Sequence, residues 1–244
     1  MFKHYIVFLL ITFSIGSLAQ TNLSTSGLGG SSKESVSMFS GLKAKEYHTN
    51  FNNNGNIEGT PYLFKSWKNK SKIWYEDKIF NLDSVNYNIR RDTFVFRLKN
   101  DSIFILNPKK ITKVEINNFV SKYTFKPYPN NKLEENSFYE VLYDNKNYSL
   151  LSKYKLKVKG GSVDPLTKEY ITPRQYVPEK DYFILKHNEG ETITDLKLKK
   201  TVVLKLIESP YLGEVKRFVK KQRLKYTQIA DVNRILTYYY SIKR

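Results

Sequence analysis

The chain has 244 residues, a formal net charge of +18 at pH 7 and no cysteine. Without cysteine it cannot form disulfides, use a thiol nucleophile or bind a metal through cysteine. Hydrophobic residues make up 40% of the chain, enough for a packed core, and the 19 tyrosines and 15 phenylalanines favour strands over helices.

The first predicted element is a secretory signal peptide over residues 1–19. Lys3 provides a positive start, Tyr5–Phe13 is an unbroken apolar run, and Ser17 and Ala19 stand before the expected cleavage point. A membrane anchor is the alternative, but the apolar run is shorter than the roughly 20 residues that a spanning helix needs. We therefore expect an exported protein with no transmembrane segment in the mature chain.

The large positive charge has three interpretations. A basic surface can bind nucleic acid, but export disfavours that partner. The charge can instead attract the protein to an anionic envelope surface, such as lipid headgroups or acidic glycans. In the third interpretation the lysines form an ordinary solvated surface, because they are scattered along the chain rather than clustered. The sequence leaves the second and third interpretations open.

Three regions follow the signal peptide. Residues 20–58 are rich in Ser, Gly and Asn, which predicts a flexible lead in which only Met38–His48 is a candidate for local order. Residues 59–197 carry strand signals and are predicted to form a β-rich domain. Residues 198–244 have helical spacing and are predicted to pack on that domain.

The β-rich region consists of short apolar or aromatic runs that alternate with polar residues and end at turn residues. In one run, Phe94, Phe96 and Leu98 are predicted to share a face of the strand. Spacings of roughly 8–12 residues indicate antiparallel hairpins rather than βαβ units. The runs are TPYLFKSWK, KIWYE, KIFNL, SVNYNI, DTFVFRL, SIFIL, KVEI, FVSKYTF, FYEVLY and NYSLLSKYKLKV, with a last hairpin of DYFILKH and ETITDLKL.

Two features stand out within this pattern. Residues 159–180, with two glycines and three prolines, form the longest predicted loop, and loops of this size often carry function. The segments WYEDKIFNL at 74–82 and LYDNKNYSL at 142–150 share one pattern, which predicts two hairpins with the same turn chemistry. Convergence of hairpin sequences and a duplicated half-domain both explain this similarity.

The C-terminal segment predicts a pair of helices. Ser209-Pro210 has the form of a helix start, and Thr227 is the predicted cap of the last helix. Apolar residues recur at helical spacing in both. The preceding stretch LKKTVVLKLIE is compatible with either a strand or a helix.

No catalytic constellation is predicted. The mature chain has two histidines, His48 and His187, which we expect at the surface, and a Ser-His-Asp arrangement would need one of them. The two do not have the spacing of metal ligands. The acidic candidates are expected to be solvated in turns rather than buried, namely Glu134, Glu135, Asp181, Glu189 and Glu191. The sequence therefore predicts no catalytic residue, no metal and no cofactor.

Two aromatic sets are candidates for binding. Three consecutive tyrosines on a helix cannot all face the core, so the possible interface consists of Phe218, Tyr238, Tyr239 and Tyr240. The possible ligand surface consists of Trp67, Trp74, Tyr75, Arg174 and Tyr176. The competing interpretation is that alternation along the strands places most strand aromatics in the core.

A resemblance to a family rests on both ends of the folded region. GTPYL at 59–63, followed by Trp67, the hairpin IWYEDKIF and NYNI at 86–89, resembles the opening of an uncharacterised family of exported β-rich proteins of Bacteroidota. The closing part is similar, with LKKTVVLKLI, a helix ending in KKQRLKYT and a helix ending in Tyr-Tyr. In the family the hairpin turn is often Asp-Gly-Lys, where this chain has Glu-Asp-Lys at 76–78.

The resemblance covers residues 55–244. It implies a Gram-negative envelope, and hence the periplasm or the periplasmic face of the outer membrane. It transfers no activity and no catalytic residue.

We expect an α+β fold that is mainly β, with an antiparallel curved sheet or partial barrel followed by C-terminal helices. The expected function is non-enzymatic: a periplasmic or outer-membrane-associated binding or accessory protein, part of a larger cell-envelope assembly. One alternative is a ligand-binding module for an anionic glycan or lipid that uses the basic strands and residues 159–180. A carboxylate-type hydrolase is the least favoured alternative.

Overall fold

The computed structural model describes residues 57–98, 100–129, 136–187 and 192–243, together with the backbone of Gln20–Thr21 and Lys45–Tyr47. The predicted signal peptide and most of the predicted lead lie outside the described residues, as do His48, Glu134, Glu135, Glu189 and Glu191.

Strands occupy most of the described chain before residue 196. Their bounds are β1 Gln20–Thr21, β2 Lys45–Tyr47, β3 Ile57–Glu58, β4 Lys70–Tyr75, β5 Lys78–Leu82, β6 Val85–Asn88, β7 Thr93–Arg97, β8 Ile103–Ile105, β9 Ile111–Asn117, β10 Lys122–Pro129, β11 Asn136–Asp144, β12 Tyr148–Val163, β13 Tyr170–Lys186 and β14 Ile193–Asp195. The helices are α1 Lys200–Lys205, α2 Leu212–Lys221 and α3 Ile229–Ile242.

Ten of these strands form the larger sheet, in the order β1-β5-β4-β9-β10-β11-β12-β13-β14, with β3 also paired to β13. The other four form a small sheet in the order β2-β8-β7-β6. Most neighbouring strands are antiparallel. Two strand pairs, β1–β5 and β3–β13, are parallel, so the larger sheet is mixed. The mainly β fold with a curved sheet and C-terminal helices is confirmed.

The first core lies between the larger sheet and the small sheet. Tyr87 and Phe94 of the small sheet meet Phe125 and Phe138 of the larger sheet, and all four side chains are buried. The Tyr87 and Phe125 ring centroids are 5.3 Å apart, and those of Phe94 and Phe138 are 4.9 Å apart. Aromatic pairs in these geometries add to the stability that comes from burying apolar area. In this way the small sheet covers the middle strands of the larger one.

The second core lies between the helices and the neighbouring strands β12 and β13. Val215 of α2 and Ile235 of α3 are buried against Tyr148 and Ile184. The Tyr148 hydroxyl reaches across this core and donates a 2.9 Å hydrogen bond to the side-chain oxygen of Asn233. The C-terminal helices therefore pack on β12 and β13.

The first predicted strand, residues 60–68, is instead an irregular segment that lies along β6. The Leu63 N–H donates to the Tyr87 carbonyl at 2.9 Å. The Asn86 side chain accepts from the Phe64 N–H at 3.1 Å and donates to the Phe64 carbonyl at 2.8 Å. Because a side chain satisfies these backbone groups, no regular ladder is needed there.

The predicted helix caps differ in detail from the structure. Ser209 lies inside a short 3-10 turn, Ser209–Tyr211, that precedes α2, and the N-cap position of this turn is Glu208. The N-cap position of α3 is Gln228 rather than Thr227, and its side chain makes no capping hydrogen bond. LKKTVVLKLIE, which was compatible with either type of element, contains a helix, α1.

The two similar segments at 74–82 and 142–150 are both hairpins, as predicted. The first joins β4 to β5, and the second joins β11 to β12. Short strands also occur in the predicted lead, where β2 lies within the part that was expected to order.

Candidate functional site

The longest hairpin of the described structure is formed by β12 and β13. Its strands pair from Tyr148 with Lys186 to Val163 with Tyr170. β12 also pairs with β11, but only over Ser149–Ser152. Beyond that point, among the described strands, β12 pairs only with β13, and β13 itself also pairs with β3. We call residues 155–179 the arm.

The arm overturns the prediction of a loop over residues 159–180. The prolines at 173 and 178 lie within β13, and only a short turn separates the two strands. Proline is tolerated where a strand has no partner on one side, because its missing N–H is then not needed for a ladder. Among the described strands, only β3 pairs with the outer edge of this part of β13, at Arg174 and Gln175. The prolines were therefore compatible with a strand in a two-stranded arm.

The tip of the arm is an ordered turn built around Asp164. Its carboxylate accepts from the N–H of Leu166 at 2.7 Å and of Thr167 at 3.1 Å. Below the turn, Gly161 has a φ of +91°, and a Cβ at this position would lie 2.4 Å from Cγ of Arg174. The conformation therefore requires glycine here.

Apolar exposure is concentrated on the arm. Among the described residues, seven large hydrophobic side chains are exposed, and five of them are arm residues: Val158, Val163, Leu166, Tyr170 and Ile171. Leu166 is 92% exposed and Ile171 is 66% exposed. Monomeric proteins rarely expose clustered apolar groups unless the surface meets a partner.

The shaft of the arm has most of its lysines paired with acids. Lys157 and Lys159 both contact Glu179, at 2.8 and 2.5 Å. Their hydrogen bonds lower the pKa of the Glu179 carboxyl to about 2. Lys155 contacts Asp181 at 2.6 Å. Two of these lysines share a single glutamate, so the arm is ion-paired but keeps a net charge of +2.

The tip is slightly acidic. Residues 163–171 contain Asp164 and Glu169 against a single Lys168, which gives a net charge of −1. An apolar tip with a negative charge is poorly suited to an anionic lipid or glycan surface, because like charges repel.

The predicted ligand surface is not assembled in the structure. Tyr75 is buried and cannot contribute to a surface, whereas Trp74 lies on the opposite face of β4. Trp74 is covered by Lys113, whose Nζ lies 3.5 Å from the ring centroid. Adjacent strand residues point to opposite faces, so Trp74 and Tyr75 cannot share one surface.

The other predicted ligand residues lie on two further elements. Trp67 packs edge-on against Tyr62 and lies under the guanidinium of Arg97. Arg174 and Tyr176 are part of the arm. No common surface therefore unites the five residues that the sequence singled out.

The predicted interface residues are mostly engaged within the protein. Phe218 of α2 and Tyr238 of α3 stack with their ring centroids 3.9 Å apart. Tyr240 stacks on Tyr148 of the sheet at 5.4 Å. Tyr239 is buried, so it cannot belong to an exposed interface. These aromatics join the two helices to each other and to the sheet.

A buried carboxylate that the sequence analysis missed lies at Glu140. Its Oε2 accepts hydrogen bonds from Ser152 at 2.8 Å, Tyr154 at 2.9 Å and Lys180 at 2.9 Å. Burial raises the pKa of the Tyr154 hydroxyl and the Glu140 carboxylate raises it further, so the phenol remains a donor. The sequence contained one signal for this burial. In FYEVLY, Glu140 lies two residues after the core residue Phe138, and residues two apart on a strand face the same side.

A second carboxylate, Asp92, connects the two sheets. It lies in the turn between β6 and β7 and accepts from the Tyr87 hydroxyl at 2.6 Å. It also accepts from the Phe138 N–H at 3.1 Å and from Lys153 Nζ at 3.0 Å. Asp92 and Glu140 are thus both surrounded by donors from the chain itself, which is typical of a structural role.

One Ser, His and Asp cluster exists, but its geometry is not that of a catalytic triad. The Ser149 hydroxyl donates to Asp144 at 2.6 Å and lies 3.1 Å from His187 Nε2. The same Nε2 is 3.6 Å from Asp144. In a triad the histidine uses its two ring nitrogens separately, one toward serine and one toward aspartate. Here the serine is hydrogen-bonded to the acid directly.

Burial raises the pKa of the Asp144 carboxyl, but hydrogen bonds from Ser149 and Lys126 outweigh burial, so the pKa is lowered overall. Among the residues that the structure describes, no cluster of three or more acidic or histidine side chains is placed to hold a metal ion. In the same part of the chain, none of the helices has the length and apolar character that crossing a bilayer requires.

No family model, curated protein or solved structure matches the chain.

Proposed function

We propose that the protein is a non-enzymatic accessory protein of the cell envelope that docks on a partner protein through the tip of its arm. The observation that carries this proposal is the group of exposed apolar residues on the arm, above all Leu166 and Ile171. The envelope location rests on the signal-peptide pattern of residues 1–19 and on the family resemblance.

The chemistry of the tip favours a protein as the partner. The net charge of −1 at the tip gives the tip itself no electrostatic attraction to an anionic lipid surface. Apolar side chains on a rigid turn are suited to a complementary recess on another protein, where a few buried anchors dominate affinity. The lysines along the shaft disfavour pairing of another strand with the edge of the arm.

Site-specific photo-crosslinking in the native host tests this proposal. A benzophenone amino acid replaces Leu166 in one version of the chain and Val120 in a second version. Val120 is a matched control, because it is an 88% exposed apolar residue in a different turn. We expect a protein adduct of defined mass from position 166 and not from position 120.

A second substitution separates docking from chance proximity. Ile171→Asp, introduced together with the crosslinker at 166, should abolish the adduct, whereas Val120→Asp should leave it intact. Circular dichroism melts of both purified variants should match the unmodified chain, since both positions are exposed. The proposal fails if no protein adduct forms at 166, or if the same adducts form at 166 and at 120. It also fails if the tip instead mediates flotation with phosphatidylglycerol vesicles.

A further inference from the structure

At the base of the arm, a groove runs beside β13 and β14 and the segment that leads into α1. Its volume is about 770 Å³. Small-molecule sites have volumes of roughly 300–1,000 Å³. The groove is lined by residues of β10 to β14 and by residues 196–199, and it does not include the tip of the arm.

The floor of the groove is aromatic and aliphatic. The Tyr139 and Phe183 rings meet edge to face, with centroids 5.2 Å apart. Pro129, Ile193 and Leu198 extend this apolar lining. The polar groups of the lining belong to lysine, aspartate and tyrosine side chains, which lie beside this floor. The apolar floor itself fits a hydrocarbon tail.

Lysines line the polar side of the groove. Lys153 and Lys180 are held by hydrogen bonds to the carboxylates of Asp92 and Glu140. Each ammonium group has three N–H donors, so each retains donors for another acceptor.

The segment before α1 contributes two further lysines. Lys197 and Lys199 are exposed and make no ion pair within the part of the chain that the structure describes. Two acids also line the groove, Asp181, which pairs with Lys155, and Asp195. The four lysines and two aspartates of the lining have a net charge of +2, which becomes +1 when the ion-pair partners Asp92, Glu140 and Lys155 are included.

We propose that this groove binds an anionic amphiphile, with its carboxylate or phosphate head at Lys197 and Lys199 and its hydrocarbon tail along Tyr139 and Phe183. The charge of the lining complements the head, and the apolar floor complements the tail. This site is independent of the docking tip, because the two share no residue.

Isothermal titration calorimetry on the chain without residues 1–19 tests the site. The probes are dodecanoate and dodecyl phosphate, used below their critical micelle concentrations, since the shared chemistry is an anionic head on a hydrocarbon tail. Dodecyltrimethylammonium has the same tail and the opposite charge. Both anionic probes should bind, the cationic probe should not, and octanoate should bind more weakly than dodecanoate, by roughly fourfold for each missing methylene.

Matched double variants locate the head group. Lys197→Ala/Lys199→Ala should raise the dissociation constant for dodecanoate roughly tenfold or more, because charge-assisted hydrogen bonds are lost. Lys220→Ala/Lys221→Ala removes the same charge from the exposed end of α2 and should have little effect. Added salt should weaken binding in the unmodified chain.

Three results would overturn the site: no binding of either anionic probe, equal binding of the cationic probe, or equal loss in the two double variants. If the head is bound only as phosphate, dodecyl phosphate alone will bind, which supports the site and assigns its head group. Leu166→Asp/Ile171→Asp should bind dodecanoate normally, so failure of the docking proposal would leave this result unaffected.

Discussion

The two halves of β12 differ in burial, although they belong to one continuous strand. Residues 148–153 lie in the body, by which we mean the described residues outside the arm, and most of them are buried. Residues 157–163 continue the same strand into the arm and are exposed. Both halves pair with β13, but only the body half also pairs with β11 and has other elements packed on its faces. The same strand is therefore buried where it has neighbours on both edges and on its faces, and exposed where it does not.

This difference predicts where stability resides. In the body, apolar side chains are removed from water by the small sheet and the helices, and this burial is the dominant stabilising term. In the arm, Leu156 still packs against the first core, but the residues beyond it are held mainly by their own strand hydrogen bonds, ion pairs and turn, which contribute much less per residue. Substitutions of the same kind should therefore have large effects in the body and small effects in the arm.

The largest expected effect is the loss of a buried ring. Phe94→Ala removes a ring that packs on Tyr87, Phe125 and Phe138, and it should lower the free energy of unfolding by about 3–5 kcal/mol. Leu166→Ala in the arm should change it by less than about 0.5 kcal/mol. Urea denaturation followed by circular dichroism measures both. Equal effects would show that the arm packs on the body in solution.

The next effect concerns two glutamates that both contact lysine. Glu140→Gln weakens three hydrogen bonds to a buried oxygen and should cost about 1–3 kcal/mol of unfolding free energy. Glu179→Gln in the arm should leave the urea midpoint unchanged, because its partners are in contact with solvent. If the two variants were equally stable, Glu140 would not be buried as the structure has it.

Replacing glycine by alanine should disturb the arm and leave the body intact, the reverse of the effects above. Gly161→Ala should disorder the tip, because the new Cβ would collide with Arg174 and the φ of +91° is unfavourable for alanine. Hydrogen exchange should accelerate at residues 160–172 and remain unchanged in the body.

Gly213→Ala is the matched control. It lies in the first turn of α2, and an added Cβ meets nothing within 4 Å. It should stabilise the body by about 0.5 kcal/mol. For the arm variant Gly161→Ala, hydrogen exchange at residues 160–172 that is slower than in the unmodified chain would contradict the tip geometry.

The sequence predicted the elements whose signals are local. Alternation identified the strands of the hairpins, and apolar spacing identified α2 and α3. The arm was missed because its glycines and prolines usually mark loops, whereas a free strand edge tolerates them. The segment 60–68 was misassigned because the side chain of Asn86, distant in sequence, satisfies its backbone.

The candidate sites were harder to predict for the same physical reason. Burial of Glu140 depends on Ser152 and Lys180, which come from other strands and which no local spacing identifies. Exposure of Leu166 depends on the arm extending beyond the sheet. One error was avoidable: Trp74 and Tyr75 are strand neighbours, so they could never have formed a single surface.

The smallest expected effect concerns acid and the shaft of the arm. Hydrogen bonds from Lys157 and Lys159 lower the pKa of the Glu179 carboxyl from 4.5 to about 2. Because the pKa is lower in the folded arm than in the unfolded chain, the ion pairs stabilise the arm fully above about pH 4.5, and this contribution is lost as the pH falls toward 2. The expected observation is a carbon-13 NMR titration of the Glu179 carboxyl with a midpoint near pH 2, assigned with Glu179→Gln.

Lys157→Ala/Lys159→Ala provides the comparison for this titration, because its Glu179 midpoint should return toward 4.5. A midpoint at that ordinary value in the unmodified chain would mean that the lysines are free in solution. The arm would then be a basic surface with an apolar tip, and the charge argument for a protein partner over an anionic surface would no longer hold.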